Sequence, residues 1–280
     1  MDQSTHISVL SRLAFTHPDG QEVQSGGVVC ALSYPEPVVV VEHAIRIEGP
    51  AMPSAELGDT RTDSLDIVKL APGSETPFAV QQLTSDWVNE PLGPNDFDEL
   101  AIELQLRNGQ IRWRGSRIVV QAPRDQFNDV TAAIAAFGWL WLNVERVERK
   151  LEADWGVQHG DALALAGGSF GRSQGRRLGE RAVEATRDRQ WFLRAMRVLE
   201  RGDSGLSRNA RRVFFELCHQ LELTKRLTLI GDMIESREAL YNQASERMFE
   251  FRLFVVSSVL EAAILIAIIT EIALFLVYEL

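Results

Sequence analysis

Cysteine is scarce in this sequence: among 280 residues there are two, Cys30 and Cys218. They lie far apart and neither belongs to a CxxC pair, so the sequence indicates neither a disulfide framework nor a thiolate metal site. The histidines are equally scattered, and no pair has the spacing of metal ligands on a helix. They are His6, His17, His43, His159 and His219. We therefore predict a reducing compartment and no bound metal.

Most common motifs of catalysis are also absent. The sequence contains no GxxxxGKS or GxxxxGKT phosphate loop, no GxGxxG after a predicted strand and no HExxH. The letters of GxSxG occur once, at Gly167–Gly171, where no strand is predicted before them. The glycines of Gly167–Arg172 superficially resemble a phosphate loop, but the lysine is missing, and we interpret this stretch as a flexible linker. We predict that the protein is not an enzyme, binds no cofactor and has no evident small-molecule substrate.

The N-terminus has no basic region followed by an apolar run, so a signal peptide is not expected. The one long apolar run, Leu253–Tyr278, lies near the other end of the sequence. It exceeds the ~20 residues that cross a hydrocarbon core about 30 Å thick. Only Glu261 and Glu271 interrupt it. We predict a single transmembrane helix over residues 253–278.

The residues that flank this run predict its orientation. Arg247 and Arg252 precede it, whereas Glu279 and Leu280 follow it. By the positive-inside rule, the bulk of the chain, including its N-terminus, lies in the cytoplasm. We expect a single-pass protein of the cell inner membrane, inserted after translation like a tail-anchored protein.

Glu261 and Glu271 are ten residues apart, so they lie about 80° apart around a helix and share one broad face. A carboxylate in hydrocarbon is costly and usually faces a partner helix or water. Three interpretations are open: the two side chains line a contact between copies of this helix, they are protonated or reach the interface, or they line an ion path.

Charge is unevenly distributed, although the formal net charge is −10. Residues 1–109 carry 17 acidic and 5 basic side chains, whereas residues 171–212 carry twelve arginines and no lysine. Arginine is preferred over lysine where a phosphate is bound by two parallel hydrogen bonds. Three partners are therefore open: RNA or a ribosome, anionic lipid, and the acidic N-terminal region itself. The candidate contacts are Arg172, Arg176, Arg177, Arg201, Arg208, Arg211 and Arg212.

Residues 1–122 have the alternation and the proline and glycine breaks of short strands and turns. Asn108-Gly109 suits a tight hairpin turn, and Gly115 is predicted to form a bulge in the second arm of that hairpin. The predicted strands are Ile7–Phe15, Gly27–Leu32, Val38–Ile47, Asp66–Leu70, Glu99–Leu106, Gln110–Trp113 and Ile118–Gln121.

The pattern after Pro123 is typical of long helices. We predict helices over Asp125–Trp155 and Leu178–Arg201, and a third that begins at Ser207 or Asn209 and runs without interruption into the apolar segment. The fold class is thus α+β. A mainly β domain (1–122) precedes a helical domain or coiled coil (123–252) with a flexible loop at 156–177, and one transmembrane helix (253–278) follows.

The third helix carries apolar residues at alternating spacings of four and three, the a/d pattern of helices that wrap together. These positions, here called the seam, are Leu223, Leu227, Ile230, Ile234, Arg237, Tyr241, Ala244, Met248, Phe251 and Val255; Arg237 is the single polar intruder among them. The seam packs either on helices of its own chain or on a second copy. If a second copy covers it, the seam residues and the two glutamates of the apolar run form the oligomer contact.

Several stretches resemble one known family. They are Leu260-Glu261-Ala262 with Glu271-Ile272 ten residues later, Leu223–Glu250, Gly26–Val29 and Phe97–Glu152. Together they resemble the domains of unknown function that include the "required for meiotic nuclear division" proteins. Ala262 replaces a tryptophan of the family pattern, and Ile134–Gly138 replaces its Ala-Leu-Ala-Gln-Ser motif.

The resemblance implies an α+β front, helices, one C-terminal transmembrane helix and self-association, with no catalytic residue. Animal members resemble inner-membrane assemblies that support mitochondrial ribosomes. Together these observations predict a C-terminally anchored, self-associating membrane scaffold that holds a cytoplasmic α+β domain near the membrane to engage a soluble partner. The alternative is an oligomeric channel or a membrane-perturbing effector.

Overall fold

The computed structural model describes residues 10–16, 26–45, 64–71, 78–90, 101–107, 109–166 and 172–279. Its strands are β1 Leu10–Thr16, β2 Gly27–Leu32, β3 Val38–Ile45, β4 Ser64–Leu70, β5 Ile102–Leu106, β6 Gly109–Arg114 and β7 Arg117–Gln121. Its α-helices are α1 Phe78–Asn89, α2 Phe127–Ala166, α3 Arg172–Arg201, α4 Arg208–Gln220 and α5 Leu223–Glu279.

The chain divides into two compact units. Unit 1 comprises Met1–Glu148 with Trp191–Leu229, and unit 2 comprises Arg149–Gln190 with Ile230–Leu280. Unit 1 contains the sheet, α1 and α4, while unit 2 is built from segments of α2, α3 and α5. The α+β class predicted from the sequence is confirmed.

The seven strands form one sheet in unit 1, in the order β2-β3-β1-β4-β7-β6-β5. All neighbours pair antiparallel except β4 and β7, which run parallel. On one face α2 packs closely: Trp139 stacks on Phe15, and Phe137 meets Trp113 edge to face. Successive strand residues point to opposite faces, and α1 covers the other face through Trp87 and Val88.

Helix α1 was not predicted, because the first 122 residues were interpreted as strands and turns. Its buried side chains are Val80, Thr84, Trp87 and Val88, which have the spacing of one helical face. The prediction is wrong here because it rested on the proline and glycine content of the region and not on the helical spacing of these buried residues.

The predicted bulge at Gly115 is also wrong. Strands β6 and β7 are separate antiparallel strands, with Arg114 opposite Arg117. Gly115 has φ +53 and occupies the tight turn between them, a conformation that glycine adopts without steric cost. The hairpin of β5 and β6 is confirmed. Asn108, like the predicted strand ends at 7–9, 46–47 and 99–100, lies outside the described residues.

The flexible loop predicted over residues 156–177 is wrong where the structure describes it. Residues up to Ala166 continue α2, and α3 begins at Arg172; the glycine-rich stretch 167–171 lies outside the described residues. Gly156 and Gly160 each weaken a helix by only about 1 kcal/mol relative to alanine. The ion pairs of Asp161 with Arg177 and Arg181 and the burial of Leu165 in unit 2 offset that cost.

The third helix does not run without interruption. As predicted, Ser207 caps α4 by accepting a hydrogen bond from the Ala210 amide. However, α4 ends at Gln220, and Glu222 has φ +49 before α5 begins at Leu223. Neither glycine nor proline marks this break in the sequence. Leu217 before the break and Leu223 after it are both buried, and this packing holds Glu222 in its left-handed conformation.

The loop between α3 and α4 is fixed to the β2–β3 turn by Asp203, whose side chain is 1% exposed. Its carboxylate accepts hydrogen bonds from the amides of Ser33 (2.8 Å), Tyr34 (3.2 Å) and Gly205 (2.9 Å). A Cβ atom on Gly205 would collide with the carbonyl oxygen of Ala31. This close approach therefore requires glycine.

We expect Gly205→Ala to destabilise unit 1 by about 1–3 kcal/mol, the usual cost of overpacking, because a backbone atom must move. The matched control is Gly156→Ala, where an added Cβ meets open space and helix propensity improves by up to about 1 kcal/mol. Chemical denaturation followed by far-UV circular dichroism measures both. Equal effects of the two substitutions would contradict the packing described at Gly205.

Candidate functional site

The seam of α5 is largely covered by the chain itself. Its first seven members are buried: Leu223, Leu227, Ile230, Ile234, Arg237, Tyr241 and Ala244. Beyond them Met248 is half-buried, and Phe251 is 44% exposed. Of the two interpretations left open by the sequence, packing within the chain accounts for the seam as far as Ala244. The later positions are not covered in this way.

Arg237, the one charged member of the seam, is 1% exposed. Its guanidinium forms ion pairs with Asp188 of α3 (2.8 Å), Asp154 of α2 (3.0 Å) and Glu184 of α3 (3.3 Å). The charge buried on α5 is thus neutralised by carboxylates from both other helices of unit 2.

Lys150 of α2 extends this cluster, with ion pairs to Glu184 (2.8 Å) and Asp188 (2.9 Å). The hydrogen bond from Lys150 holds the pKa of Glu184 below its ordinary value. Burial by itself lowers the pKa of Lys150, but its hydrogen bonds to the two carboxylates outweigh that effect and raise the pKa. Lys150 and Glu184 therefore remain charged at neutral pH.

A second cluster lies one turn further along α5, around Asp161, which is 2% exposed. Its carboxylate pairs with Arg177 (3.2 Å) and Arg181 (3.1 Å), and it accepts a hydrogen bond from the Tyr241 hydroxyl (3.2 Å). Burial raises the pKa of Tyr241, so the hydroxyl keeps its proton as the donor. We call the two clusters together the polar network of unit 2.

The second half of α5 differs from the first because its apolar side chains are exposed from Leu253 to Ile272. Within the described residues this is the one helix long and apolar enough to cross a membrane, judged by length and composition. Glu261 and Glu271 are exposed among these apolar side chains, and the Ser257 hydroxyl donates to Glu261 at 3.4 Å.

The arginines predicted to contact a partner fall into two groups. In unit 2, Arg177 belongs to the polar network, and Arg176 is exposed and pairs with Glu180 four residues later (3.0 Å). Arg172 begins α3, and its side chain lies outside the described part of the structure. The other four arginines lie in unit 1.

These four arginines line one open depression of about 570 Å³ together with Phe215. They are Arg201, Arg208, Arg211 and Arg212. Arg211 donates to the Leu206 carbonyl (3.1 Å), and its aliphatic part lies over Gly202, where a Cβ would meet its carbons at 3.0 Å. No described residue forms an ion pair with any of the other three. We call this feature the arginine depression.

Comparisons with known protein families, curated proteins and solved structures give no match for this chain. The resemblance to the family of the "required for meiotic nuclear division" proteins therefore stays a prediction.

The described part of the chain contains neither a metal-ligand cluster nor a reactive thiol. There, no three His, Cys, Asp or Glu side chains group as a metal site would. Cys30 and Cys218 are buried and free, and burial raises the pKa of each thiol to about 12. Neither is a thiolate at neutral pH, the form in which cysteine acts as a nucleophile.

Sequence analysis identified Arg237 as a charged intruder in an apolar seam but missed the carboxylates that receive it. Asp154, Glu184 and Asp188 lie in two other helices, and nothing in their local sequence marks them. The available signal was the intruder itself, because a charge at a buried helical position requires an opposite charge on its neighbours.

We expect Arg237→Ala to destabilise unit 2 by about 3–5 kcal/mol, since removing one partner of a buried ion pair leaves the other charges uncompensated. The matched control is Arg176→Ala, which removes an exposed i,i+4 pair worth about 0.2–0.5 kcal/mol. Chemical denaturation of the detergent-solubilised full chain measures both. If Arg237→Ala were as mild as the control, the network would not hold α5.

Proposed function

We propose that this protein is a C-terminally anchored, self-associating membrane scaffold. The observation that carries the proposal is α5: one face of its first half is buried in the chain, and its second half exposes a long, largely apolar surface that water would not favour. A bilayer would cover the apolar side chains of this surface. In this account residues 253–278 form a single membrane span, and the rest of the chain stays outside the hydrocarbon.

The proposed location is the cell inner membrane, with the N-terminal bulk in the cytoplasm. The support is the pair Arg247 and Arg252 immediately before the apolar run, together with the positive-inside rule. Arg247 also donates to the Leu165 carbonyl at the end of α2 (3.0 Å). This contact ties the start of the proposed span to unit 2.

We place self-association in the part of α5 that the chain leaves exposed. The seam up to Ala244 is buried, so a second copy would contact the positions that follow. Glu261 and Glu271 share one face of that part, and polar side chains inside a bilayer gain from hydrogen bonds to other polar groups across a helix contact. The resemblance described above also favours a self-associating membrane protein.

The soluble partner is proposed from chemistry and resemblance alone. Arginine-rich surfaces suit phosphate groups, so RNA, a ribosome or anionic lipid are the candidate partners for the exposed arginines. Arg177 and Arg181 are committed to the polar network and are not counted among them. No catalytic role is proposed.

The alternative is an oligomeric channel or a membrane-perturbing effector. It is favoured by one observation, the two carboxylates placed within an otherwise apolar helix. In that case purified protein should conduct ions across a planar bilayer, and Glu261→Gln should abolish the conductance. Well-folded oligomers that are electrically silent would exclude this alternative.

The membrane anchor is tested by Leu265→Arg combined with Ile268→Arg. Each arginine near the centre of a span costs about 2.5–3.5 kcal/mol, so we expect the double variant to be extracted by alkaline carbonate while the natural chain stays in the membrane pellet. The matched control is Leu193→Arg combined with Leu229→Arg, which places the same charges at exposed leucines outside the span. Complete extraction of the natural chain would contradict the proposal.

Self-association is tested by light scattering in mild detergent. We expect the natural chain to form one discrete homo-oligomer, and Glu261→Leu with Glu271→Leu to change its stoichiometry because the polar contact between helices is lost. Glu246→Leu with Glu250→Leu, at exposed positions of α5 before the span, should leave it unchanged. A monomer at micromolar concentration would rule out the scaffold as proposed.

A further inference from the structure

The arginine depression of unit 1 has a charge arrangement that folding alone does not explain. Arg208 and Arg211 lie in the first turn of α4 and Arg212 follows at once, while that turn contains no acidic residue. The amino end of a helix carries a partial positive charge, so cations are unfavourable there. Arg201, at the end of α3, brings a fourth guanidinium to the same depression.

The surrounding described residues do not neutralise these charges. Asp129 contacts the start of α4, where it accepts hydrogen bonds from Ser207 (2.6 Å) and Asn209 (3.2 Å) rather than from an arginine. Within the described part of the chain, Arg201, Arg208 and Arg212 form no ion pair. The four guanidinium groups carry like charges around one depression, so they repel one another. A bound anion would reduce that repulsion.

The residues that line the depression indicate which class of anion it can bind. Guanidinium groups bind phosphate oxygens through paired hydrogen bonds, and about 570 Å³ is a typical size for a small-molecule site. Phe215, half-buried in the lining, offers an aromatic ring on which a base can stack. Inorganic phosphate alone would leave that ring unused.

We propose that the arginine depression binds a nucleoside polyphosphate. Its three or four negative charges match the four arginines, and its base lies against Phe215. An extended RNA chain would need a groove with successive stacking rings, whereas this lining contains one aromatic side chain. An anchored lipid would need an apolar surface for its acyl chain, and Phe215 is the one apolar side chain of the lining.

This inference is independent of the membrane anchor, because every residue that it uses belongs to unit 1. Its test is isothermal titration of the full chain in mild detergent at low salt, with ATP, GTP, inorganic tripolyphosphate, adenosine and a single-stranded RNA as separate probes. Cosedimentation with phosphatidylglycerol vesicles tests the lipid. We expect at least one of the two nucleoside triphosphates to bind. Arg208→Ala with Arg212→Ala should weaken that binding at least tenfold.

The two parts of the ligand are separated by Phe215→Leu, which should weaken nucleotide binding but leave tripolyphosphate binding unchanged. The matched control is Arg187→Ala with Arg194→Ala, two exposed arginines of α3 that do not line the depression; it should bind like the natural chain. Far-UV circular dichroism checks that each variant folds, and Arg208→Gln with Arg212→Gln replaces the alanine pair if that pair does not.

Four results would overturn the inference. They are no binding of ATP or GTP, binding that is unchanged in the arginine variants, equal nucleotide binding in Phe215→Leu, and binding only of single-stranded RNA or of phosphatidylglycerol vesicles. The last result would instead assign the depression to a macromolecule or a membrane surface.

Discussion

Unit 2 depends on the neutralisation of one buried charge, Arg237. Taking a guanidinium out of water costs several kcal/mol of free energy. Arg237 occupies a buried seam position, so the packing of α5 includes this cost. Carboxylates from α2 and α3 offset it together, and the cluster at Asp161 repeats the arrangement one turn along α5. Because a shift of α5 along its axis would separate the ion pairs of Arg237, these pairs help to fix the register of the three helices.

This register matters for function because the same helix continues into the exposed apolar segment. A displacement of the segment along its axis would pull Arg237 away from its carboxylates, so the helix proposed to enter the membrane is firmly tied to unit 2. The proposed scaffold needs this property, because an anchor on a loosely held helix would not keep unit 2 in a defined position at the membrane surface.

Local patterns in the sequence were sufficient for β2, β3, the hairpin of β5 and β6, and the helical identity of α2, α3 and α5. They failed where packing of distant segments decided the outcome. Gly156 and Gly160 suggested a loop, but buried Asp161 and Leu165 keep that stretch helical. At Glu222 a helix breaks without any breaker residue. For the candidate site, arginine content indicated anion contacts. The sequence could not show which arginines are already paired inside unit 2, because their carboxylate partners lie far away in the sequence.

The central claim, that α5 leaves the polar network and enters a bilayer, is tested most directly by cysteine labelling in membrane vesicles. The native thiols are buried and protonated, so single cysteines at Ser236, Ser245, Ala262 and Ile268 can be compared against a low background. With a water-soluble maleimide in inside-out vesicles, the account predicts labelling at the first two positions, and labelling at the last two only after the membrane is dissolved. Equal labelling at all four positions in intact vesicles would contradict it.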